Sequence, residues 1–211
     1  MSLVAQGVRF SYEPEHMLID GFDLTVEPGE RVALEAPSGA GKTTLCRLLA
    51  GYLSPQAGAV EVDGAPVSCG RRRRGARRVQ LIWQHPEEAC DPLLRLDATL
   101  SEGLPRGECL HDARPSDLME RFGIAGEWLS RFPHELSGGE LMRLCVVRAL
   151  LARPRYLICD EMTAMLDAIT QARVWTQLIE VAEREQLGLV VVSHSPELLD
   201  RVATRRVSLA R

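Results

Sequence analysis

Aromatic residues are scarce in this chain, and long apolar runs are missing. Only 5% of the 211 residues are aromatic whereas 45% are hydrophobic, so the core has to be built mainly from aliphatic side chains. No apolar run reaches the roughly 18 residues of a membrane-spanning helix, and no signal peptide is recognisable. The formal charge of −4 argues against general binding of nucleic acid.

The six cysteines lack the spacing of a metal site or a disulfide framework. They stand far apart, and no Cys-x-x-Cys pair occurs. Cys46, Cys145 and Cys159 lie in apolar stretches. We therefore interpret the cysteines as small, buried hydrophobic residues of a protein in a reducing compartment.

Lysine is scarcer still, because 24 of the 25 basic residues are arginine and the single lysine is Lys42. Lys42 stands in the stretch Ala-Pro-Ser-Gly-Ala-Gly-Lys-Thr-Thr at 36–44, here called the phosphate loop. The loop follows an apolar run at 31–35 and precedes helical spacing at 45–50. A small-residue loop between a strand and a helix directs backbone N–H groups at an anion, and a compact ammonium suits crowded phosphate oxygens.

This stretch nearly fits the pattern G-x-x-x-x-G-K-[ST] of phosphate-binding loops. In that pattern the ammonium of Lys42 reaches the β- and γ-phosphates and the hydroxyl of Thr43 ligates Mg²⁺. Ala36 stands where the pattern has glycine, and we expect it to adopt negative φ with its Cβ turned away from the nucleotide. The residues expected to contact the nucleotide phosphates here are Ser38, Gly39, Ala40, Gly41, Lys42, Thr43 and Thr44.

Strand and helix patterns alternate along much of the chain, and each buried strand ends in polar residues. This order predicts an α/β protein with a largely parallel sheet whose ligands bind at the carboxyl ends of the strands. Five prolines between 86 and 135 separate short helical patterns and indicate an inserted, mostly helical lobe. Six arginines at 71–78 are interpreted as a solvated surface loop. Strands are predicted at 3–10, 22–26, 31–35, 58–64, 79–83, 155–159, 189–192 and 206–209, and longer helices at 141–152 and 170–184.

Several polar features follow these strands, and each alone has an ordinary structural explanation. Asp160-Glu161 could be a solvated turn, and Gln84, His194 and Tyr12 could be structural residues at strand ends. Ser137-Gly138-Gly139 could be an ordinary helix start. Their occurrence together with a phosphate loop, in this order along the chain, is much harder to attribute to chance.

Over essentially the whole chain this order resembles the ATP-binding cassette (ABC) ATPases. Leu136-Ser-Gly-Gly-Glu140 resembles the signature loop of the family, and Tyr156–Glu161 resembles its Walker B strand. The resemblance implies a P-loop NTPase core with a mixed, largely parallel sheet, an N-terminal antiparallel β subdomain and an inserted helical lobe. It also implies a single domain over 1–211, in which 1–85 and 153–211 form the nucleotide-binding core and 86–152 form the helical lobe with the signature loop.

The resemblance assigns a role to each polar feature. Glu161 and His194 would be catalytic, Tyr12 would stack on adenine, and Asp167, after Leu166, matches the D-loop. The expected Mg²⁺ ligands are Thr43, Gln84 and Asp160. The residues expected to bind the ATP of an opposite subunit are Ser137, Gly138, Gly139 and Glu140, so two cassettes would enclose two ATP molecules head to tail.

Finer features resemble the dipeptide, oligopeptide and nickel importer group, among them Gln84-His-Pro86 and Thr163-Ala-Met-Leu-Asp167. Besides Ala36, two residues depart from the family pattern: Glu140 replaces the usual glutamine, and Met162 replaces a frequent proline. None of the three removes a group that performs chemistry. Only 17 residues follow His194, so we expect no C-terminal regulatory domain.

The leading functional hypothesis is an ATP-hydrolysing subunit of a membrane importer for peptides or for nickel or metal chelates, peripheral at the cytoplasmic face of the cell membrane. Its partners would be integral membrane permease subunits, a second ABC ATPase subunit and, indirectly, an extracytoplasmic solute-binding protein, with no nucleic acid. One alternative is a non-transport cassette that acts as an assembly subunit of an enzyme complex. Another is a cassette acting on DNA or ribosomes, but the tandem cassettes or long insertions of those proteins do not fit in 211 residues.

Overall fold

The computed structural model describes residues 2–67 and 78–209, so most of the arginine cluster and Cys69 lie outside the described residues. The strands are β1 (Leu3–Phe10), β2 (Ile19–Val26), β3 (Arg31–Glu35), β4 (Ala57–Val62), β5 (Ala65–Pro66), β6 (Val79–Ile82), β7 (Tyr156–Asp160), β8 (Gly188–Val192) and β9 (Arg205–Ser208). The α-helices are α1 (Lys42–Leu49), α2 (Leu96–Ser101), α3 (Ala113–Arg121), α4 (Gly138–Leu151), α5 (Ala168–Glu185) and α6 (Pro196–Val202). Short 3-10 helices are formed by Pro86–Ala89, Gly126–Ser130 and Pro133–Glu135.

The central sheet has the strand order β6-β7-β8-β3-β9, and all four of its strand pairs are parallel. Every residue of β7 and β8 is buried, as expected for strands that are covered on both faces. Asp160 pairs with Val192 and Ala33 with Val191, so the carboxyl ends of β3, β7 and β8 lie at one edge of the sheet. The segments that follow these strands are thereby brought together at that edge.

The antiparallel strands form a second sheet with the order β2-β1-β4-β5. Its core-facing residues alternate with exposed ones along β1 and β2, the pattern of a sheet with one buried face. The predicted α/β class, with a largely parallel sheet and antiparallel N-terminal strands, is confirmed. In the described residues the antiparallel strands form a sheet of their own, which corresponds to the expected N-terminal antiparallel β subdomain, and the central sheet is parallel throughout.

Two apolar cores lie on either side of the central sheet. One core joins the antiparallel sheet, α1 and one face of the central sheet, and it contains fully buried residues such as Leu45 and Val190. The other joins the opposite face of the sheet to α4, α5 and the helical segments between β6 and β7, with Leu144 and Trp175 among its members. Among the described residues, no helix is both long and apolar enough to cross a membrane.

The contact between β1 and β4 requires a glycine at Gly58. The pairing register shifts between Gln6 and Arg9, which brings the carbonyl groups of Gln6 and Gly7 against Gly58. A Cβ at Gly58 would overlap both carbonyl oxygens, and its φ of +77° disfavours side chains as well.

We expect Gly58→Ala to lower the free energy of unfolding by about 1–3 kcal/mol more than Gly64→Ala does. Gly64 is a matched control because its φ is +72° and a Cβ there would meet open space. Both substitutions lower the conformational entropy of the unfolded chain by the same amount, so this contribution cancels when the two free energies of unfolding are compared. Urea unfolding followed by circular dichroism measures the difference, and equal losses in the two variants would show that the overlap is relieved without cost.

Candidate functional site

The phosphate loop joins β3 to α1 and ends at Gly41, whose φ of 92° only glycine adopts readily. Lys42 is buried, and its ammonium donates hydrogen bonds to the carbonyl oxygens of Ala36 and Pro37, at 2.8 and 3.0 Å. The loop therefore curls around its own lysine. Ser38 and Gly39 are exposed, so their backbone groups remain accessible at the start of α1.

Asp160 forms the last residue of β7, one residue later than the predicted strand end, and it is 3% exposed. Burial raises the pKa of its carboxyl group, and a hydrogen bond from the Thr43 side chain partly opposes this effect. The Oδ1 atom of Asp160 is buried and has no hydrogen-bond partner among the described residues. A buried carboxylate oxygen without a partner, next to a threonine hydroxyl, is the hard oxygen environment that Mg²⁺ favours.

Glu161 turns its side chain out of the strand direction, because it adopts a positive φ of 49°. Its Oε1 lies 2.9 Å from Nε2 of His194, which follows β8. Its Oε2 accepts a hydrogen bond of 3.4 Å from the Gln84 amide, which follows β6. A left-handed conformation costs a non-glycine residue roughly 1 kcal/mol, and such strain clusters at functional sites.

Tyr12 lies beyond the end of β1 and above the phosphate loop. Its ring packs edge-on against Phe10 with centroids 5.0 Å apart, and its hydroxyl lies 3.3 Å from Oγ1 of Thr44. The side chain is 61% exposed, so one aromatic face remains open beside the loop. The sequence analysis missed the residue that holds this segment: the Gln56 amide exchanges three hydrogen bonds with the backbone and hydroxyl of Ser11.

The signature loop forms the start of α4, where Ser137 is the N-cap residue. The Glu140 carboxylate accepts hydrogen bonds of 2.8 Å from both the backbone N–H and the hydroxyl of Ser137. The backbone N–H of Glu140 in turn donates to the Ser137 hydroxyl oxygen, which completes a capping box. These bonds lower the pKa of the Glu140 carboxyl group, and they give the departure from glutamine a structural role.

Asp167 forms the N-cap of α5, because its carboxylate accepts hydrogen bonds of 3.0 Å from the N–H groups of Ile169 and Thr170. The signature loop lies close to this helix start, since a Cβ on Gly139 would approach the Leu166 side chain to 3.3 Å. Met165 and Ile169, on either side of Asp167, are both 68% exposed. The signature loop and the D-loop therefore form one continuous, partly apolar surface.

A second feature that the sequence did not reveal fixes the segment between Glu161 and Asp167. The hydroxyl oxygen of the buried Thr163 accepts hydrogen bonds from the Gln171 amide at 2.9 Å and the Trp175 indole at 3.0 Å. Both donors lie on α5. The loop that follows the catalytic candidates is thus anchored to a long helix, and only the chain fold brings these three residues together.

The structure thus brings most of the predicted site residues together at the carboxyl edge of the central sheet. An ammonium, a desolvated carboxylate, a second carboxylate and an imidazole converge around an open loop of backbone donors. Such a set can bind a polyphosphate with a hard cation and can orient a water molecule for attack. Ser137–Glu140 and Asp167 lie on the separate surface formed by the starts of α4 and α5.

This α/β architecture, with its phosphate loop and polar strand ends, defines a nucleotide-binding class of protein, and the comparisons agree. The family model described as ABC transporter matches residues 19–164. The chain therefore belongs to the ABC transporter family. It also resembles a dimeric bacterial ABC transporter cassette of known structure, with a TM-score of 0.84 and 23% identity over 98% of this chain and 93% of that one.

The names of individual relatives describe different transport roles. A probable peptide ABC transporter ATP-binding protein of Sinorhizobium fredii is 31% identical over 89% of this chain and 55% of its own length. The nickel import ATP-binding protein NikE of Pseudomonas putida is 35% identical over 91% of this chain and 73% of its own length. A lipoprotein-releasing system ATP-binding protein of Rhodospirillum rubrum is 36% identical over 90% of this chain and 87% of its own length. The chain spans little more than half the length of the similar peptide-transport proteins, between 52% and 58%.

The other two departures from the family pattern are accommodated by the fold. Ala36 is not among the described residues with positive φ, as expected, and it packs against the core formed by the antiparallel sheet and α1. Met162 is 2% exposed and belongs to the core on the opposite side of the sheet.

We expect Ala36→Gly to change the affinity for ATP by less than about threefold, or under about 0.7 kcal/mol. The reason is that the backbone at Ala36 needs no glycine, and its carbonyl oxygen remains available to Lys42 in the variant. Titration calorimetry with Mg-ATP measures the affinity, with Lys42→Ala as the variant that should lose binding. A large gain in affinity on introducing glycine would show that the natural loop is impaired.

Proposed function

We propose that this chain is an ATP-hydrolysing subunit of an ABC importer, working as a head-to-tail pair of cassettes. The observation that carries the proposal is the Glu161 carboxylate, positioned between His194 and Gln84 at the edge of the sheet that also holds the phosphate loop and Asp160. Two chain segments, the ones after β6 and β8, converge there on one carboxylate that follows β7.

The site residues then have these roles. Lys42 exchanges its two carbonyl acceptors for phosphate oxygens, and the loop N–H groups bind the remaining phosphate charge. Glu161 orients the attacking water and accepts its proton, and His194 donates a hydrogen bond to the γ-phosphate. Tyr12 stacks on the adenine. Bound Mg²⁺ would neutralise phosphate charge, held by Asp160, Thr43 and Gln84, whose oxygen atoms suit it.

The pairing of two cassettes is supported by the surface that the signature loop shares with Asp167. Its Ser137 hydroxyl and glycine N–H groups lie at a helix start, where an anion is favoured. The exposed side chains Met165 and Ile169 beside them would be covered by a second subunit. One chain then contributes Lys42 to one ATP and Ser137 to the other.

The contact with a permease is assigned to a groove between β6, α2 and α4. The groove has a volume of about 920 Å³ and is lined by aromatic, aliphatic and arginine side chains, among them Tyr52, Trp83, Leu104 and Arg148. We assign it to a cytoplasmic helix of the permease, which the helical lobe 86–152 would hold against the core. Trp83 directly precedes Gln84, whose amide donates a hydrogen bond to Glu161. An occupant of the groove that contacts Trp83 therefore contacts the neighbour of Gln84.

From the relatives named for peptide and nickel import, we propose peptides or nickel as the transported solute. We also propose a peripheral position at the cytoplasmic face of the membrane and an indirect role for a solute-binding protein. The similarity to a lipoprotein-releasing system protein supports a second candidate, a subunit of a lipoprotein-releasing transporter. Identifying the membrane protein that copurifies with the chain distinguishes these two. Copurification with soluble enzyme subunits instead would favour the assembly-subunit alternative.

We expect Glu161→Gln to reduce Mg-ATP hydrolysis by at least about 100-fold while ATP binding is retained. The amide keeps the size of the side chain but cannot accept a proton from water. Phosphate release and titration calorimetry measure the two properties, with Glu120→Gln on the exposed face of α3 as the matched control. Retained turnover in Glu161→Gln, with Glu120→Gln unchanged, would refute the assignment of Glu161.

We expect Lys42→Arg to weaken ATP binding by about tenfold or more, equivalent to at least about 1.4 kcal/mol. The Lys42 side chain is 8% exposed, and its ammonium fits between two carbonyl oxygens, a space too small for a planar guanidinium. The control is Arg121→Lys on α3, which makes the reverse exchange at a position away from the site. Unchanged affinity in Lys42→Arg would mean that this side chain does not contact the phosphates.

A further inference from the structure

Two cysteines that the sequence analysis interprets as inert hydrophobic residues are in contact in the fold. Cys90 follows the 3-10 helix Pro86–Ala89, and Cys145 lies in the middle of α4. Their Sγ atoms are 3.6 Å apart, and both residues are buried. Because a disulfide has a sulfur separation of about 2.05 Å, the two sulfur atoms would have to approach by about 1.5 Å to bond.

The surroundings make the two thiols chemically unequal. A hydrogen bond from Cys145 lowers the pKa of Cys90 to about 7 against the effect of burial, and the Arg148 guanidinium acts in the same direction. The same hydrogen bond, together with burial, raises the pKa of Cys145. This direction favours Cys90 as the thiolate that attacks and Cys145 as the thiol that completes a disulfide.

The pair is also within reach of a small oxidant. Cys145 lines the groove of about 920 Å³, together with Pro86, Ala89 and Arg148. Cys46 and Cys159 have no exposed surface, and burial raises the pKa of both thiols. Cys109 is exposed, and its sulfur atom lies 3.3 Å from Asp112. Within the described residues, Cys90 and Cys145 thus combine contact between two sulfur atoms with a groove that reaches Cys145, next to Cys90.

We propose that Cys90 and Cys145 form a dithiol that hydrogen peroxide oxidises to an intramolecular disulfide, and that this bond slows ATP hydrolysis. The Cys90 thiolate attacks peroxide, takes up one oxygen atom as a sulfenic acid and releases water once a proton is added. The Cys145 thiol then displaces the second water from that sulfur. In total, two thiols and one peroxide give one disulfide and two waters.

The effect on hydrolysis rests on the proposed function of the site. Gln84, which bonds Glu161, precedes Cys90 by six residues, and Ser137 begins the helix that carries Cys145. A disulfide therefore ties the segment after Gln84 to the helix of the signature loop. We infer that this tie restricts the movement of Gln84 relative to Glu161 and thereby slows hydrolysis.

The first experiment tests the chemistry without any measurement of turnover. The reduced chain is treated with hydrogen peroxide, alkylated and digested with trypsin, which separates residues 79–95 from residues 144–148. Each of these two peptides contains one of the two cysteines and no other. We expect them to be joined by a disulfide that dithiothreitol reverses, before Cys46 or Cys159 reacts.

Three variants sharpen this experiment. Cys109→Ser should still form the joined peptides, whereas Cys90→Ser should not. In Cys145→Ser the Cys90 sulfenic acid should persist and be trapped by dimedone. The digest of the wild-type chain tests the disulfide by itself. Poor folding of one variant therefore does not affect that test. Peroxide treatment that oxidises Cys90 to a sulfinic acid, or that joins other cysteines, without joining residues 79–95 to 144–148 would overturn the proposal.

The second experiment measures turnover of the oxidised wild-type chain. We expect ATP hydrolysis at about one tenth or less of the reduced rate, with recovery after dithiothreitol. Joined peptides with unchanged turnover would overturn the inhibitory effect of the bond. Absence of turnover in the reduced chain would contradict the proposed function instead, while the peptide result would continue to test the dithiol.

Discussion

The candidate site depends on the parallel register of the central sheet. Asp160 pairs with Val192, so the residues that follow them, Glu161 and Ser193, lie at the same level, and His194 comes within 2.9 Å of the Glu161 carboxylate. A shift of this register would separate the carboxylate from the imidazole and both from the phosphate loop. Because β7 and β8 are buried on both faces, the apolar cores on either side hold the register that the chemistry needs.

Desolvation is the second constraint, and it gives the site its affinity for charge. Lys42 is removed from water and bonded only to neutral carbonyl groups in the described structure, while one oxygen of Asp160 is buried without a partner. Buried charges of this kind are costly unless a counter-charge arrives. An anion and a hard cation that bind together relieve both costs. The proposed ATP and Mg²⁺ would neutralise these two groups.

Local signals in the sequence predicted most of the site, because each of them acts over a short range. The phosphate loop, the apolar strands and the helix start at Ser137 are encoded by neighbouring residues. The bonds between Gln56 and Ser11, between Thr163 and Trp175, and between Cys90 and Cys145 were not predictable, because they join residues that only the chain fold brings together.

The capping box at α4 sets a condition for anion binding at the signature loop. The Ser137 hydroxyl has one proton, which it donates to Glu140, and the Ser137 N–H donates to the same carboxylate. A phosphate that binds to either donor has to replace Glu140 as the acceptor and approaches a carboxylate of like charge. The neighbouring glycine N–H groups and the helix dipole favour the phosphate, but they favour the internal carboxylate as well. In the proposed pair of cassettes, contacts of a second subunit with the exposed apolar side chains beside Asp167 would make this exchange favourable.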